Sequence, residues 1–289
     1  MATASGFEVI PRGAALGAEI RGLDLSVPLD AAAVAALKAA WDRHLVIVFR
    51  DQTLSDPNLI AFSQLFGALD PPGPNPYGTA FLPEFPELNV ISNVKDANGK
   101  PIGNLGAGEA VWHADMTYVD RPPKAAVLYA LEIPEGQGDT HFANMIAAYE
   151  TLPDALKEQT DGRRAIHDAA HNSAGMLRKG YEEVTDVRDT AGARHPLVHV
   201  EPETGRRALF LGRRPHAYVL GLEVKESDAL LDRLWAHATQ ERFAWSHQWR
   251  VGDLLMWQNR WVLHRRDGFD PEARRILHRT QVTGDSPIT

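Results

Sequence analysis

Short apolar runs of β-formers, each cut off by glycine or proline, constrain this chain more than any other feature. Leu45–Phe49 (LVIVF), Leu88–Val94, Val127–Glu132, Asp253–Trp257 (DLLMW) and Arg274–Val282 each read as a strand. Val9–Ser26 reads as strand, turn, strand around Gly13, Gly17 and Gly22. Asp139–Phe142 is a further short strand, and Pro196–Val200 with Ala208–Leu211 a pair joined at Glu203-Thr204-Gly205. Helical patterns are few. Asp30 caps a helix over Ala31–His44, Asp56-Pro57 opens one to Phe66, and Ile146–Thr151 and Pro153–Gln159 are short helices. Ser227–Thr239 is amphipathic, with Leu230, Leu231, Leu234 and Trp235 on one side. Gly162–Gly192 has no clean period and reads as mixed loop and helix. Many short strands with a few helices between them predict a mainly β protein: a two-sheet double-stranded β-helix, or jelly roll, with helical decoration. With no linker or internal repeat, residues 1–289 read as a single domain.

Composition narrows the chemistry. The chain has no cysteine, so disulfides, thiolate zinc sites and cysteine catalysis are excluded, and a metal must be held by His, Asp or Glu. The formal net charge of −8 argues against a nucleic-acid or anionic-membrane binder. The pairs Arg213-Arg214, Arg265-Arg266 and Arg274-Arg275 are only local clusters. No run approaches the ~18 apolar residues of a membrane span, and MATASGFEVI lacks the basic and apolar regions of a signal peptide, so the expected location is cytoplasmic.

The stretch Val111–Tyr118 (VWHADMTY) holds His113 and Asp115 two residues apart, which on a strand puts both on one face. Alone, the pair is a weak signal among 12 histidines. His264, remote in sequence, is the best third ligand. Two histidines and one carboxylate on one face of a metal are the ligand set of non-haem Fe(II) oxygenases. In the run ARRILHR, Arg274 and Arg275 face opposite sides of a strand, while Arg275 and Arg279 share a face. An inward arginine beside a metal needs an anion, and its fork suits a carboxylate.

At these residues the chain resembles the taurine dioxygenase/2,4-D dioxygenase family of Fe(II)- and 2-oxoglutarate-dependent oxygenases. The resemblance runs through GAEIRGLDLSVPL, VFRDQTLS, WHADMTY, PPKAAVLYALEIPEGQGDT and GDLLMWQNRWVLHRRDGFDPEARRILHRTQV, about Val9 to Gly284. It implies His113, Asp115 and His264 as iron ligands. It implies Arg275, helped by Thr140, as the grip on the distal carboxylate of 2-oxoglutarate. Arg279 would meet an anionic group of a small-molecule substrate. Tyr118 could line that pocket under strand geometry, and Trp112 and Trp257 read as packing.

The implied reaction uses O2, releases succinate and CO2, and hydroxylates a small, anionic organic substrate, which can then fragment. The resemblance also implies a homo-oligomer, since relatives are commonly dimers or tetramers. Two departures weigh against taurine: the loop after Phe66-Gly67 has no histidine, and Glu109 stands where the taurine enzyme has asparagine. A carboxylate there repels a sulfonate unless Arg279 or another cation neutralises it, so the pocket is expected to suit an aryl or alkyl carboxylate, or a substrate whose cationic end faces Glu109. The rivals are a metal-holding jelly roll without turnover, which would lack the Arg275/Thr140 anion site, and a nucleic-acid demethylase, which would need an aromatic-interleaved basic patch.

Overall fold

A computed structural model describes residues 6–13 and 15–289. Two sheets face each other. The larger one orders its strands Glu8–Pro11, Ala18–Arg21, Val46–Phe49, Leu254–Gln258, Ala125–Glu132, Ile276–Val282, Asn89–Ser92 and Asn104–Leu105, with Leu69–Asp70 added against Ile276–Val282. The smaller runs Ala244–His247, Thr140–Asn144, Val262–Arg266, Ala110–His113. This is the jelly roll expected from the strand pattern.

The apolar runs do not alternate with polar residues because the larger sheet is covered on both faces. Leu255 and Trp257 point into the core between the sheets with Phe142, Leu263 and Leu277. Leu254 and Met256 point the other way, into a second core with Leu37, Trp41, Leu59 and Phe62. Successive side chains of a strand leave opposite faces, so a strand between two apolar layers must be apolar throughout. The second core lies under helices Ala31–His44 and Asp56–Gln64. The first of these forms the crossover between the parallel strands Ala18–Arg21 and Val46–Phe49.

Local signals place most boundaries. Asp30 caps its helix by accepting from the Ala33 amide at 2.7 Å. The second helix starts at Asp56 as expected, and Ser55 caps it, because Ser55 and Asn58 bond reciprocally as a capping box. The amphipathic helix spans Val224–Ala238, with Leu230, Leu231, Leu234 and Trp235 buried. The segment Gly162–Gly192 differs from its mixed loop-and-helix reading. It holds the strand Arg164–Ile166 and a 3-10 turn at Val187–Asp189, but no α-helix. Its polar groups are answered locally instead: Asp168 accepts from the Ala170 amide, and Asn172 from those of Ala174 and Met176.

Candidate metal centre and its two anion pockets

Strand Ala110–His113 ends the smaller sheet and pairs with Val262–Arg266 so that His113 lies opposite His264. Their ring centroids are 4.1 Å apart. Phe142 and Trp257 pack on the His264 ring, at 6.1 and 4.9 Å between centroids, and fix its plane. The Nδ1 of His113 donates to the Val111 carbonyl at 2.7 Å. A carbonyl can only accept, so the hydrogen sits on Nδ1 and the Nε2 lone pair is free.

Asp115 reaches the histidines by a different route from the one expected. The strand stops at His113, and residues 115–118 form a turn with Met116 at φ 50°. Asn259 holds that turn. Its Oδ1 accepts from the Asp115 amide at 2.7 Å, and its Nδ2 donates to the carbonyls of Asp115 and Pro123, each at 2.9 Å. The Asp115 carboxylate is thereby brought 3.7 Å from His113 Nε2 and 4.0 Å from His264 Nε2. One ligand atom from each of the three residues lies within 4.8 Å of the others, and all three residues are buried.

The protonation states suit a cation. Burial pushes His113 well below its ordinary range, with the neighbouring His264 adding to the shift. Burial takes His264 down to about 4. Burial works to raise Asp115, but Arg279 and the two histidines outweigh it and hold the carboxyl below its usual value. Two neutral imidazoles and a carboxylate are ready to bind a metal without first losing protons.

Behind the histidines lies a cavity lined by Thr140, Trp257, Arg275 and Arg279, among others. Arg275 is 1 % exposed. It sits between Trp249 and Phe269, with a single long hydrogen bond to the Gly138 carbonyl at 3.5 Å and no partner for Nε. Burial, then Arg266, lower it to about 9, so it stays cationic at neutral pH. Arg266 also reaches this cavity, but it donates to the carbonyls of Leu105, Gly106 and Gly108. Arg275 has no carboxylate partner among the described residues. A buried cation left so is costly, and the cavity fits an anion that would answer it. Thr140 accepts from the Trp249 indole at 2.9 Å, leaving its own hydrogen for a further acceptor. Arg274 points outward to Glu132, the opposite face as expected.

The second pocket opens in front of the three ligands. Tyr118, Asn172, Arg178, Arg213 and Arg279 line it, together with the loop at Gly73–Pro76. Tyr118 therefore faces the pocket, although from a turn rather than from a strand. Arg279 reaches both pockets, and its Nη1 donates to both oxygens of Asp115 at 2.8 and 3.0 Å.

Glu109 corrects the sequence reading. It is exposed, lines neither pocket and pairs with Arg265 at 3.5 Å. The cause is a β-bulge. His264 pairs with His113 but Arg266 with Ala110, so the edge strand carries one extra residue there. The extra residue reverses the side-chain face, and Glu109 turns outward while His113 turns in. Trp112 packs against His141 under Arg265 and is only packing, whereas Trp257 also walls the rear cavity.

Sequence reasoning missed Asn259, Trp249, Arg178 and the pocket role of Arg213. Only Arg213 carried any signal, as half of a basic pair. His171 lines neither pocket and lies in a cluster with Asp168 and His216. That cluster is not built as a metal site. The His171 and His216 rings stack at 4.0 Å and 8°, so their in-plane lone pairs run parallel and do not converge. Asp168 is also shared between His171 and Arg213.

A jelly roll carrying a buried two-histidine, one-carboxylate cluster beside an unanswered arginine defines a class: the metal-dependent oxygenases that use a 2-oxo acid. The family model for the taurine catabolism dioxygenase TauD, TfdA family matches residues 8–281, and the chain belongs to that family. It is 34 % identical to the (S)-phenoxypropionate/alpha-ketoglutarate dioxygenase of Delftia acidovorans, over 96 % of this chain and 95 % of that one. It is 33 % identical to the alpha-ketoglutarate-dependent sulfate ester dioxygenase of Pseudomonas putida, over 97 % and 91 %. A solved taurine dioxygenase from Burkholderia xenovorans superposes with a TM-score of 0.77 at 33 % identity, over 98 % of this chain and 91 % of that chain. The chain is an alpha-ketoglutarate-dependent dioxygenase, an oxidoreductase.

Proposed function

We propose that the metal is Fe(II), held by His113, Asp115 and His264, and that O2 is the second cosubstrate of a hydroxylation. The observation that carries this is the pairing of that cluster with Arg275, a buried guanidinium that lacks an anion. The distal carboxylate of 2-oxoglutarate would be gripped by Arg275 and accept the free hydrogen of Thr140. When bound, the iron and the 2-oxo acid supply the oxidising chemistry, with succinate and CO2 released.

The protein's own part is orientation and exclusion of water. His113 keeps its Nε2 aimed by donating Nδ1–H to Val111. Asn259 holds the turn that presents Asp115. Trp257 and Phe142 keep the histidine side dry. In front, Arg279 and Tyr118 would orient a small anionic substrate, in line with the phenoxypropionate and sulfate-ester relatives. We read residues 1–289 as one domain acting on a small molecule rather than on nucleic acid or a membrane. No helix among the described residues is long and apolar enough to cross a membrane. By family resemblance we expect a cytoplasmic homo-oligomer, a dimer or tetramer.

The test is spectroscopic. Protein incubated anaerobically with Fe(II) and 2-oxoglutarate should develop a weak visible metal-to-ligand charge-transfer band. No band in metal-loaded protein would refute the assignment. A panel of aryloxyalkanoates, sulfate esters, sulfonates and amino acids, read by succinate release, would then rank substrates.

A further inference from the structure

The pocket in front of the three ligands holds more positive charge than one acid group needs. Arg178, Arg213 and Arg279 all line it. Arg279 is balanced by Asp115, and Arg213 reaches Asp168 at 3.5 Å. Arg178 pairs with no carboxylate among the described residues. It is buried, its guanidinium lies 4.1 Å over the Tyr118 ring, and its Nη1 donates to the Ala169 carbonyl. Burial, then Arg178, lower Arg213 to about 10, which still leaves it charged at neutral pH.

Unanswered donors gather around the same pocket. The Tyr118 hydroxyl, Asn172 Nδ2 and the Nε of both Arg178 and Arg279 are buried without a hydrogen-bond partner. A buried donor left without an acceptor is unfavourable. Four in one pocket point to an acceptor-rich ligand. The balance shifts further once Asp115 serves a metal, because Arg279 then loses its counter-charge. Two guanidiniums, Arg178 and Arg279, are left without one.

We propose that the substrate is a dianion, with one negative charge on Arg279 and the second on Arg178, Arg213 and the Tyr118 hydroxyl. Arg178 and Arg213 are then specificity-determining residues of the reaction. This rests on the oxygenase reading above. The two charges can sit on one group, as in a phosphonate or phosphate monoester, or on two separate acids, and the test separates these forms.

Protein loaded anaerobically with Fe(II) and saturating 2-oxoglutarate is titrated by calorimetry with phenylphosphonate, phenylsuccinate and phenylacetate. The pH is held at about 8, above the second ionisation of a phosphonate-type group. At least one dianion should bind about tenfold or more tightly than phenylacetate, the worth of one charge-assisted hydrogen bond. The tighter dianion identifies the charge arrangement. Arg178→Gln should bring the preference to within about twofold, and Tyr118→Phe, which removes only a hydroxyl, should reduce it by a smaller factor. In both variants the charge-transfer band with 2-oxoglutarate should persist, which reports an intact centre. Equal binding of mono- and dianions, binding of no dianion, or a preference that survives Arg178→Gln would overturn the proposal. Absence of the band in the unmodified protein would instead strike the oxygenase reading.

Discussion

The two pockets flanking the ligand cluster treat their key arginines differently. The rear cavity is walled by strands and aromatic rings, and its key cation, Arg275, is left without a partner inside the fold. The front pocket is walled by turns and by the irregular segment after Asp168, and its central cation, Arg279, is matched to Asp115. A rigid cavity can hold an unanswered charge in readiness for one fixed anion. A pocket built from loops can re-pair its charges when ligands arrive. The rear pocket thus suits an invariant cosubstrate, and the front one a variable substrate.

The largest effect that would break this contrast comes from Asp115→Ala. Succinate formation should fall to background and the charge-transfer band should vanish. The metal-free protein should also lose about 3 kcal/mol in urea unfolding, because Arg279 would be left largely buried and unpaired. Retained turnover would remove Asp115 from the centre. Arg275→Met comes next, and its stability effect should have a different sign. It should raise the 2-oxoglutarate requirement by roughly ten- to a hundredfold through a lost charge-assisted grip. It should leave metal-free stability unchanged or improved, since an uncompensated buried cation is gone. If Arg275→Met destabilises as much as Asp115→Ala, the two pockets do not differ in the way described.

Asn259→Ala should act through the Asp115 turn and not by contact with metal. Metal affinity should weaken by roughly tenfold, while the 2-oxoglutarate requirement at saturating metal stays close to normal. A change confined to 2-oxoglutarate affinity would contradict that role. The last effect is in pH and is read on stability, not on turnover. His264 is held neutral down to about 4, against an ordinary value of 6.5, and His113 is lowered as well. Between these limits the unfolded chain binds protons that the folded one refuses. The metal-free protein should therefore be fully stable above about 6.5 and lose roughly 1.4 kcal/mol per pH unit per such group as pH falls toward 4. Thermal melting from pH 7 to 5 would show it. His264→Asn should flatten the slope, and an unchanged slope would argue against a neutral buried His264.

Several elements were legible because their causes are local. The Asp30 cap, the amphipathic face of Val224–Ala238 and the buried strand Leu254–Gln258 follow from side-chain type and spacing. So does the outward turn of Arg274 against the inward turn of Arg275. Glu109 failed because one inserted residue at a sheet edge reverses every face beyond it, and no local pattern announces a bulge. Gly162–Gly192 resisted because side-chain-to-backbone hydrogen bonds, without periodicity, hold it.

From residue order alone came the layered β architecture, the absence of thiol chemistry and the identities of three candidate ligands with an arginine to back them. Burial patterns and donor chemistry are written into side chains, so these needed no coordinates. Tertiary structure alone decided that His264 lies opposite His113, that Asn259 rather than strand geometry aims Asp115, and that Arg178 and Arg213 line one pocket with Arg279. Those facts depend on register and on contacts between distant segments, where the free energy belongs to the pair and is carried by neither residue by itself.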